Sequence, residues 1–479
     1  MNIKVVLKLN GYILLFIAGA MLLPLIVAAV YKEQSGLAFL PSIALCLAIA
    51  APLISLKTKS KAVYSREGLV TVAFAWVFIS IIAGLPFFIS KQIPNFIDCI
   101  FETASGFTTT GATILTDVEA LSKCMLFWRS FTHWIGGMGV LMFVMMIAPL
   151  AGGNNMQLIR AESAGPKIEK IAPKANVTAM TLYGIYIGLT LLQTVLMLLG
   201  DMPFFDAITI AFGTAGTGGF GVRNSSVAEY STYVQVIMTV FMFLFSLNFN
   251  IYFLIIARRF KSVLKSEELR VFVLVVVSSI LFITLNNSSL FKNFGEALHH
   301  SSFTVLSVIS TSGFVTVDFD LWPEISKTVL VILMFVGACA GSTGGGIKVT
   351  RILIMLKNLK REFYVLIHPR SVKTIRVNDK RVDEETTARV GAYLVCYLLV
   401  FAVSMLIISL DNYDFETNFT AIAATLNNIG PGLSAVGPTG NFAGFSALSK
   451  IVFTIDMICG RLELFPFMIL LLPQTWKKY

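Results

Sequence analysis

Apolar stretches long enough to cross about 30 Å of hydrocarbon recur near residues 11–31, 37–56, 69–90, 124–150, 179–200, 231–258, 269–286, 326–356, 388–410 and 449–475. Ten such stretches carry more apolar surface than one globular core can bury. The chain is therefore expected to fold in a bilayer, as an all-α membrane protein of about ten transmembrane helices. Composition agrees: 56% of the 479 residues are hydrophobic and 13% are charged, against roughly 25% charged in soluble domains. The formal net charge of +10 could suggest nucleic acid, but the basic residues are spread between apolar blocks. That spread reads as membrane topology, with lipid as the partner and no nucleic acid.

The linkers Lys57–Arg66, Arg160–Lys174, Arg258–Arg270 and Arg351–Arg389 are basic and fall with both tails on one side. The positive-inside rule then makes the protein multi-pass with both termini cytoplasmic. Lys4 and Lys8 precede an apolar run from Gly11 to Tyr31 that is too long for a signal peptide, so it reads as a retained first helix. The six cysteines include no CxxC pair and sit in or beside apolar stretches, so they read as small apolar residues and not as disulfides or zinc ligands. The longest polar linker, about Lys357 to Arg389, is expected to be a solvated connection in preference to a docking surface.

Four outer segments repeat: IPNFIDCIFETASGFTTTGAT, MPFFDAITIAFGTAGTGGFG, FGEALHHSSFTVLSVISTSGFV and DFETNFTAIAATLNNIGPGL. Each has an apolar stretch too short to span, then a small-residue cluster, then a full helix. They register on Gly111, Gly219, Gly313 and Gly430. Fifteen positions earlier stand Phe96, Phe204, Leu298 and Phe415; two positions earlier stand Thr109, Thr217, Thr311 and Asn428. The pattern is a fourfold unit of helix, re-entrant pore loop and helix around one pore, preceded by two N-terminal helices. It divides the chain into an N-terminal two-helix extension (1–66), pore repeat 1 (67–160), pore repeat 2 (161–262), pore repeat 3 with a broken gate helix (263–360), and a cytoplasmic linker with pore repeat 4 (361–479).

Irregular backbone at membrane depth is tolerated only where protein buries it or it lines a watery cavity. Four such loops must converge on a shared axis. There Thr109, Thr110 and Gly111, Thr217, Gly218 and Gly219, Thr311, Ser312 and Gly313, and Asn428, Ile429 and Gly430 can offer a ring of carbonyls in place of a cation's hydration shell. Each preceding short helix directs the negative end of its dipole at the ring. The core tripeptides contain no carboxylate, which favours a monovalent ion over Ca2+ or Mg2+. Potassium is the leading candidate. Half-helices and glycine turns packed inside a bundle are the bland alternative, and four in register weaken it.

At this point the chain resembles the superfamily of K+ transporters that contains Trk, Ktr and HKT proteins, most closely the TrkH type. The resemblance rests on TTTGAT at Thr108 to Thr113, WRSFTHWIGGMGV after the first loop, GSTGGGIK at Gly341 to Lys348 and GRLE at Gly460 to Glu463. It implies four non-identical repeats around one pore, a homodimer, and a separate cytosolic nucleotide-binding regulatory subunit of TrkA type. The fourth loop departs from the pattern, with Asn428 in place of Thr and Pro431 after the glycine.

Within the stretch 326–356, five glycines fall in ten residues from Gly337 to Gly346, and each costs a helix about 1 kcal/mol. The helix is expected to break. The resemblance makes the break an intramembrane gate below the filter, with Gly341, Gly344, Gly345, Gly346 and Lys348. It also places Arg461, a charge inside the last apolar stretch, in the ion pathway, where it would repel cations and hold the gate shut. A structural pair with Glu463 is the alternative.

Other motifs carry less. GTGGFG at Gly216 to Gly221 follows no strand, and GSTGGGIK lacks the residues of a phosphate loop. His133, beside Trp134, reads as a packed or interfacial residue, and His299 and His300 as outer-surface residues. Glu102 could concentrate cations or cap backbone groups. No Ser, His and Asp set and no HExxH occurs, and Ser105 with His133 makes only a weak dyad, so neither enzyme activity nor an organic cofactor is expected. Two functions remain: gated K+ uptake across the bacterial inner membrane by the membrane subunit of a Trk-type system, or K+ symport with H+ or Na+ by alternating access. Fourfold register favours the first.

Overall fold

The computed structural model describes residues 1–57, 65–139 and 175–477. The basic linker at 160–174, most of the linker at 57–66 and the later part of the stretch at 124–150 lie outside the described residues.

Two long helices, α1 (Ile3–Tyr31) and α2 (Gln34–Ser55), form an antiparallel N-terminal pair. The first repeat follows as α3 (Arg66–Ile89), the short α4 (Phe96–Phe107) and α5 (Lys123–Gly137). The extension docks onto it electrostatically. Glu33, in the turn between α1 and α2, accepts hydrogen bonds from the Lys123 and Cys124 N–H groups at 2.7 and 2.9 Å, placing a carboxylate at the positive end of α5.

The second repeat is α6 (Ala175–Leu198), α7 (Phe204–Gly216), and a second helix broken into α8 (Thr232–Ser246) and α9 (Phe249–Ile256). The third is α10 (Glu267–Asn287), α11 (Phe294–Ile309), and a second helix broken into α12 (Glu324–Val336) and α13 (Val349–Ile367). The fourth is α14 (Glu384–Ile408), α15 (Phe415–Leu426), α16 (Ala447–Arg461) and the one-turn α17 (Phe465–Met468).

The expected all-α plan of two N-terminal helices and four helix–loop–helix repeats is present, and the second helices of the repeats are the elements that depart from straight spans. Among the described residues six helices are long and apolar enough to cross a membrane, and α8 with α9 makes a seventh span only through a 91° bend. The stretches at 124–150, 231–258, 326–356 and 449–475 hold the second helices of the repeats, and among the described residues each is interrupted within its stretch. α5 ends at Gly137 before Gly139 at φ +76°, α12 ends before Gly337 at φ +68°, and α16 ends before Glu463 and Leu464 at φ +58° and +67°. The first and third breaks carry glycines that the sequence shows, at Gly136, Gly137 and Gly139 and at Gly337 to Gly346, whereas the second carries none.

The second break shows how such interruptions survive in hydrocarbon. The carbonyls of Phe245 and Ser246, freed by the bend, accept from the N–H groups of Thr343 and Cys339, and the Phe249 N–H returns to the Gly341 carbonyl. Two broken helices thus satisfy each other's backbone, as burial away from water requires. Asn248 caps α9 by accepting from the Asn250 N–H at 2.9 Å.

The polar connection is also shorter than expected. α13 continues to Ile367 and α14 begins at Glu384, capped by Asp383, so only residues 368–383 lie outside helices. They include a two-residue hairpin, β1 (Arg376–Val377) with β2 (Lys380–Arg381), paired antiparallel with Arg376 opposite Arg381. Its turn, Asn378 and Asp379, takes φ of +50° and +60°, the left-handed pair that a two-residue hairpin needs.

Candidate functional site

The four short helices end alike. The N–H of Thr109, Thr217, Thr311 and Asn428 bonds to the carbonyl three residues back. The N–H of the next residue, Thr110, Gly218, Ser312 or Ile429, bonds five residues back at 2.8 or 2.9 Å. This is a helix end closed by a left-handed residue, and Thr109, Thr217, Thr311 and Asn428 have φ of +56°, +56°, +61° and +56°. Glycine or asparagine is the usual occupant. A β-branched residue there costs about 1–2 kcal/mol, so three threonines mark strain held by the surrounding structure at a special site.

Two residues on, Gly111, Gly219, Gly313 and Gly430 again have positive φ, from +71° to +102°, with a right-handed or extended residue between. Alternating the sign of φ turns successive carbonyls to one side, which ordinary extended backbone does not do. The fourth loop, despite Asn428 and Pro431, adopts the same backbone. The four loops also close on one another: a Cβ on Gly111 would overlap the Gly218 carbonyl, one on Gly219 that of Ser312, and one on Gly313 that of Ile429. A Cβ on Gly430 would stand 2.8 Å from the Thr110 carbonyl and complete the ring. Asn428 ties the closure by donating to Thr110 Oγ1 at 2.9 Å, and the buried Thr109 hydroxyl has no partner among the described residues.

The short helices begin at Phe96, Phe204, Phe294 and Phe415. The third therefore starts one turn before Leu298, the position that register with the other loops suggests. Asn293 sets that start by accepting from the Glu296 N–H at 2.8 Å while Glu296 accepts from the Lys292 N–H at 3.1 Å, a reciprocal cap.

An outer set of contacts follows the same order around the ring. Lys123 of α5 lies over the Phe205 ring of α7 at 4.6 Å, Gln235 of α8 bonds His299 of α11 at 2.7 Å, Lys327 of α12 lies 3.9 Å from Glu416 of α15, and Lys450 of α16 pairs with Asp98 of α4 at 2.7 Å. Each second helix thereby grips the next repeat's short helix. His299 and His300 are half-buried in this layer, His300 bonding Thr316 at 3.1 Å, which corrects their expected place on the outer surface. The Lys450–Asp98 pair is largely buried, whereas Glu324 and Glu416 around Lys327 are exposed. Asp98→Ala is expected to lower stability by about 3 kcal/mol, and Lys327→Met by only tenths. Thermal unfolding in detergent reads this directly, and equal shifts in the two variants would mean that the ring closure carries no stability.

Behind the first loop, Glu102 is buried and its Oε1 lies 2.5 Å from Arg129 Nε. It does cap backbone, accepting from the Ile114 N–H at 3.1 Å, but a paired, buried carboxylate does not concentrate cations from solution. Arg129 lies in the WRSFTHW stretch, and its charge within an apolar span is the sequence signal that marks it. His133 is buried and stacked on Phe220 at 4.1 Å, so the packed reading holds.

The glycine-rich break joins the ring on the side where the second helices stop. The Gly345 N–H donates to Thr311 Oγ1 at 2.6 Å and the Gly346 N–H to the Asn427 carbonyl at 3.0 Å. Gly341 and Gly346 take φ of +72° and +77°, Lys348 at φ +79° donates to the Gly344 carbonyl, and Glu268 of α10 accepts from the Ala340 N–H at 2.6 Å. Arg461 bridges this segment to repeat 1. It donates to the Thr343 carbonyl at 2.7 Å, the Gly137 carbonyl at 2.8 Å and the Gly136 carbonyl. Glu463 pairs with Arg351, so the carboxylate proposed as Arg461's structural partner is engaged elsewhere.

Four re-entrant loops closed into one ring, each set between two flanking helical segments, define an integral membrane protein of the pore-loop class. The chain belongs to the family described as TrkH, cation transport protein, whose model matches residues 35–478. It is 35% identical to the Trk system potassium uptake protein TrkH of Salmonella typhimurium and 34% identical to that of Escherichia coli K12, with both chains covered in full in each case. The crystal structure of the potassium transporter TrkH from Vibrio parahaemolyticus matches over the whole of both chains, with a TM-score of 0.88 at 32% identity.

Proposed function

We propose that the chain conducts K+ inward across the bacterial inner membrane as the membrane subunit of a Trk-type uptake system. The closed ring carries this reading: alternating φ and glycines at Gly111, Gly219, Gly313 and Gly430 leave room for carbonyl oxygens and for nothing larger. Thr109, Thr110, Thr217, Gly218, Thr311, Ser312, Asn428 and Ile429 with those glycines are the filter, whose oxygens replace the water shell of a dehydrating cation. Four short helices ending at the ring add the negative ends of their dipoles. An inside-negative potential supplies about 2.3 kcal/mol per charge per 100 mV.

The segment Gly341 to Gly346 with Lys348 is the gate, pinned to the filter loops at Thr311 and Asn427 and across to repeat 1 by Arg461. The repeats divide near residues 66, 160, 262 and 360, both termini are cytoplasmic, two chains pair, and a separate nucleotide-binding cytosolic subunit acts on the inner face. The basic linkers support the orientation, and the name of the family's Trk system relatives supports a further component.

The test is flux into proteoliposomes holding this chain alone at a clamped potential. K+ flux that follows the potential, exceeds Na+ flux and needs no pH gradient is expected. Flux that requires a proton or Na+ gradient would transfer the case to symport by alternating access.

A further inference from the structure

We propose that the Glu102–Arg129 ion pair is a specificity-determining clamp that fixes the first and second filter loops relative to each other. The inference rests on the K+ filter reading. Glu102 accepts from the Thr113 hydroxyl at 3.0 Å and the Ile114 N–H at 3.1 Å, just past Gly111 in the first loop. Arg129, paired to it at 2.5 Å, donates to the Gly221 carbonyl at 3.0 Å, just past Gly219 in the second loop. The guanidinium also lies 3.5 Å over the Phe220 ring. Phe220 stacks on His133, whose imidazole a Cβ on Gly218 would overlap. One buried pair therefore touches the exit of both loops, and through Phe220 and His133 it backs the middle residue of the second.

Repeat 1 alone has this device. Nine positions before the loop glycine, where Glu102 stands, the other repeats have Ile210, Thr304 and Ala421; at the seventh position after the helix cap, where Arg129 stands, they have Met238, Leu330 and Phe453. The exits of the third and fourth loops are held by neutral hydroxyls. Ser307 donates to the Phe314 carbonyl at 2.6 Å, and Thr420 Oγ1 accepts from the Leu433 N–H at 3.0 Å. Hydroxyls are thus sufficient to close a loop of this kind.

A buried ion pair is costly to assemble and gives little net stability over an apolar replacement, so folding alone does not account for one at this place. Charge-assisted hydrogen bonds are shorter and roughly twice as strong as neutral ones, and they are stiffer. A carbonyl ring discriminates K+ from the smaller Na+ only while it resists closing around the smaller ion. The clamp stiffens the half of the ring that spans the first and second loops.

The experiment is reversal potential and tracer flux for K+ and Na+ through the full chain in proteoliposomes, in wild type, Glu102→Gln and Arg129→Lys. Lysine keeps the charge but cannot span Glu102 and Gly221 together. The permeability ratio of K+ to Na+ is expected to fall about tenfold in both variants. A ratio equal to wild type in both overturns the proposal and leaves the pair a packing element. Should neither variant fold, Thr113→Val and Phe220→Leu, which each remove one end of the clamp's reach, decide the matter by the same ratio: a fall supports the clamp, no change overturns it. Wild type without preference for K+ would instead defeat the filter reading on which the inference stands.

Discussion

Gly219→Ala is expected to bring K+ to Na+ discrimination close to unity, a loss of about a hundredfold or more if the ring is the filter. The added methyl would overlap the Ser312 carbonyl oxygen, a backbone atom of the neighbouring loop that cannot rotate away. Gly219 also sits at φ +82°, where an L-residue costs about 1–2 kcal/mol. Positive φ is common to all four glycines, and all four alanines would crowd a carbonyl, but the overlap differs in degree. A Cβ on Gly111, Gly219 or Gly313 overlaps a carbonyl, whereas on Gly430 it stands 2.8 Å from the Thr110 oxygen. Gly430→Ala should consequently be the mildest of the four alanine variants. The reversal potential under bi-ionic conditions gives the series, and an equally severe Gly430→Ala would mean that backbone strain, not ring closure, sets selectivity.

Arg461→Ala is expected to raise K+ flux through the isolated chain about tenfold. Its guanidinium spans from the Thr343 carbonyl in the glycine-rich segment to the Gly136 and Gly137 carbonyls at the end of α5. Hydrogen bonds to a charged group contribute about 1.5–3 kcal/mol each, and a shift of about 1.4 kcal/mol in the segment's position is already a factor of ten in population. A positive charge beside a cation path adds an electrostatic barrier. Arg461→Lys separates the two effects, because lysine retains the charge but cannot reach both sides of the bridge. Flux in the lysine variant near wild type would assign the barrier to charge, and flux near the alanine variant would assign it to the brace. Unchanged flux in Arg461→Ala would remove Arg461 and the segment from gating.

The glycine register was readable because each loop needs φ values that few residues tolerate, and that demand leaves a mark in sequence. That register does not carry over to the start of α11: Leu298, in register with the first residues of the other short helices, lies one turn inside it, since the Asn293 and Glu296 cap adds a turn that the other three lack. The break between α8 and α9 was illegible for a different reason. Ser246, Leu247 and Asn248 contain no glycine or proline, and the bend is stable only because Thr343 and Cys339, about a hundred residues later, supply its missing hydrogen bonds. Glu102 illustrates a third case: its residue type hinted at a role, but whether it faced cations or a counter-ion depended on where Arg129 came to lie.

By itself the sequence determined that the chain inhabits a bilayer, that four outer segments share one re-entrant design, and that the third second-helix must break, because hydrophobic length and glycine φ are local properties. Only the tertiary structure decided the order in which the loops close on one another, the partners of Arg461, Glu463 and Glu102, and the residues at which the second helices stop. Those depend on pairing backbone and charged groups between distant segments in a medium that offers no water, and such pairing is a property of the assembled ring.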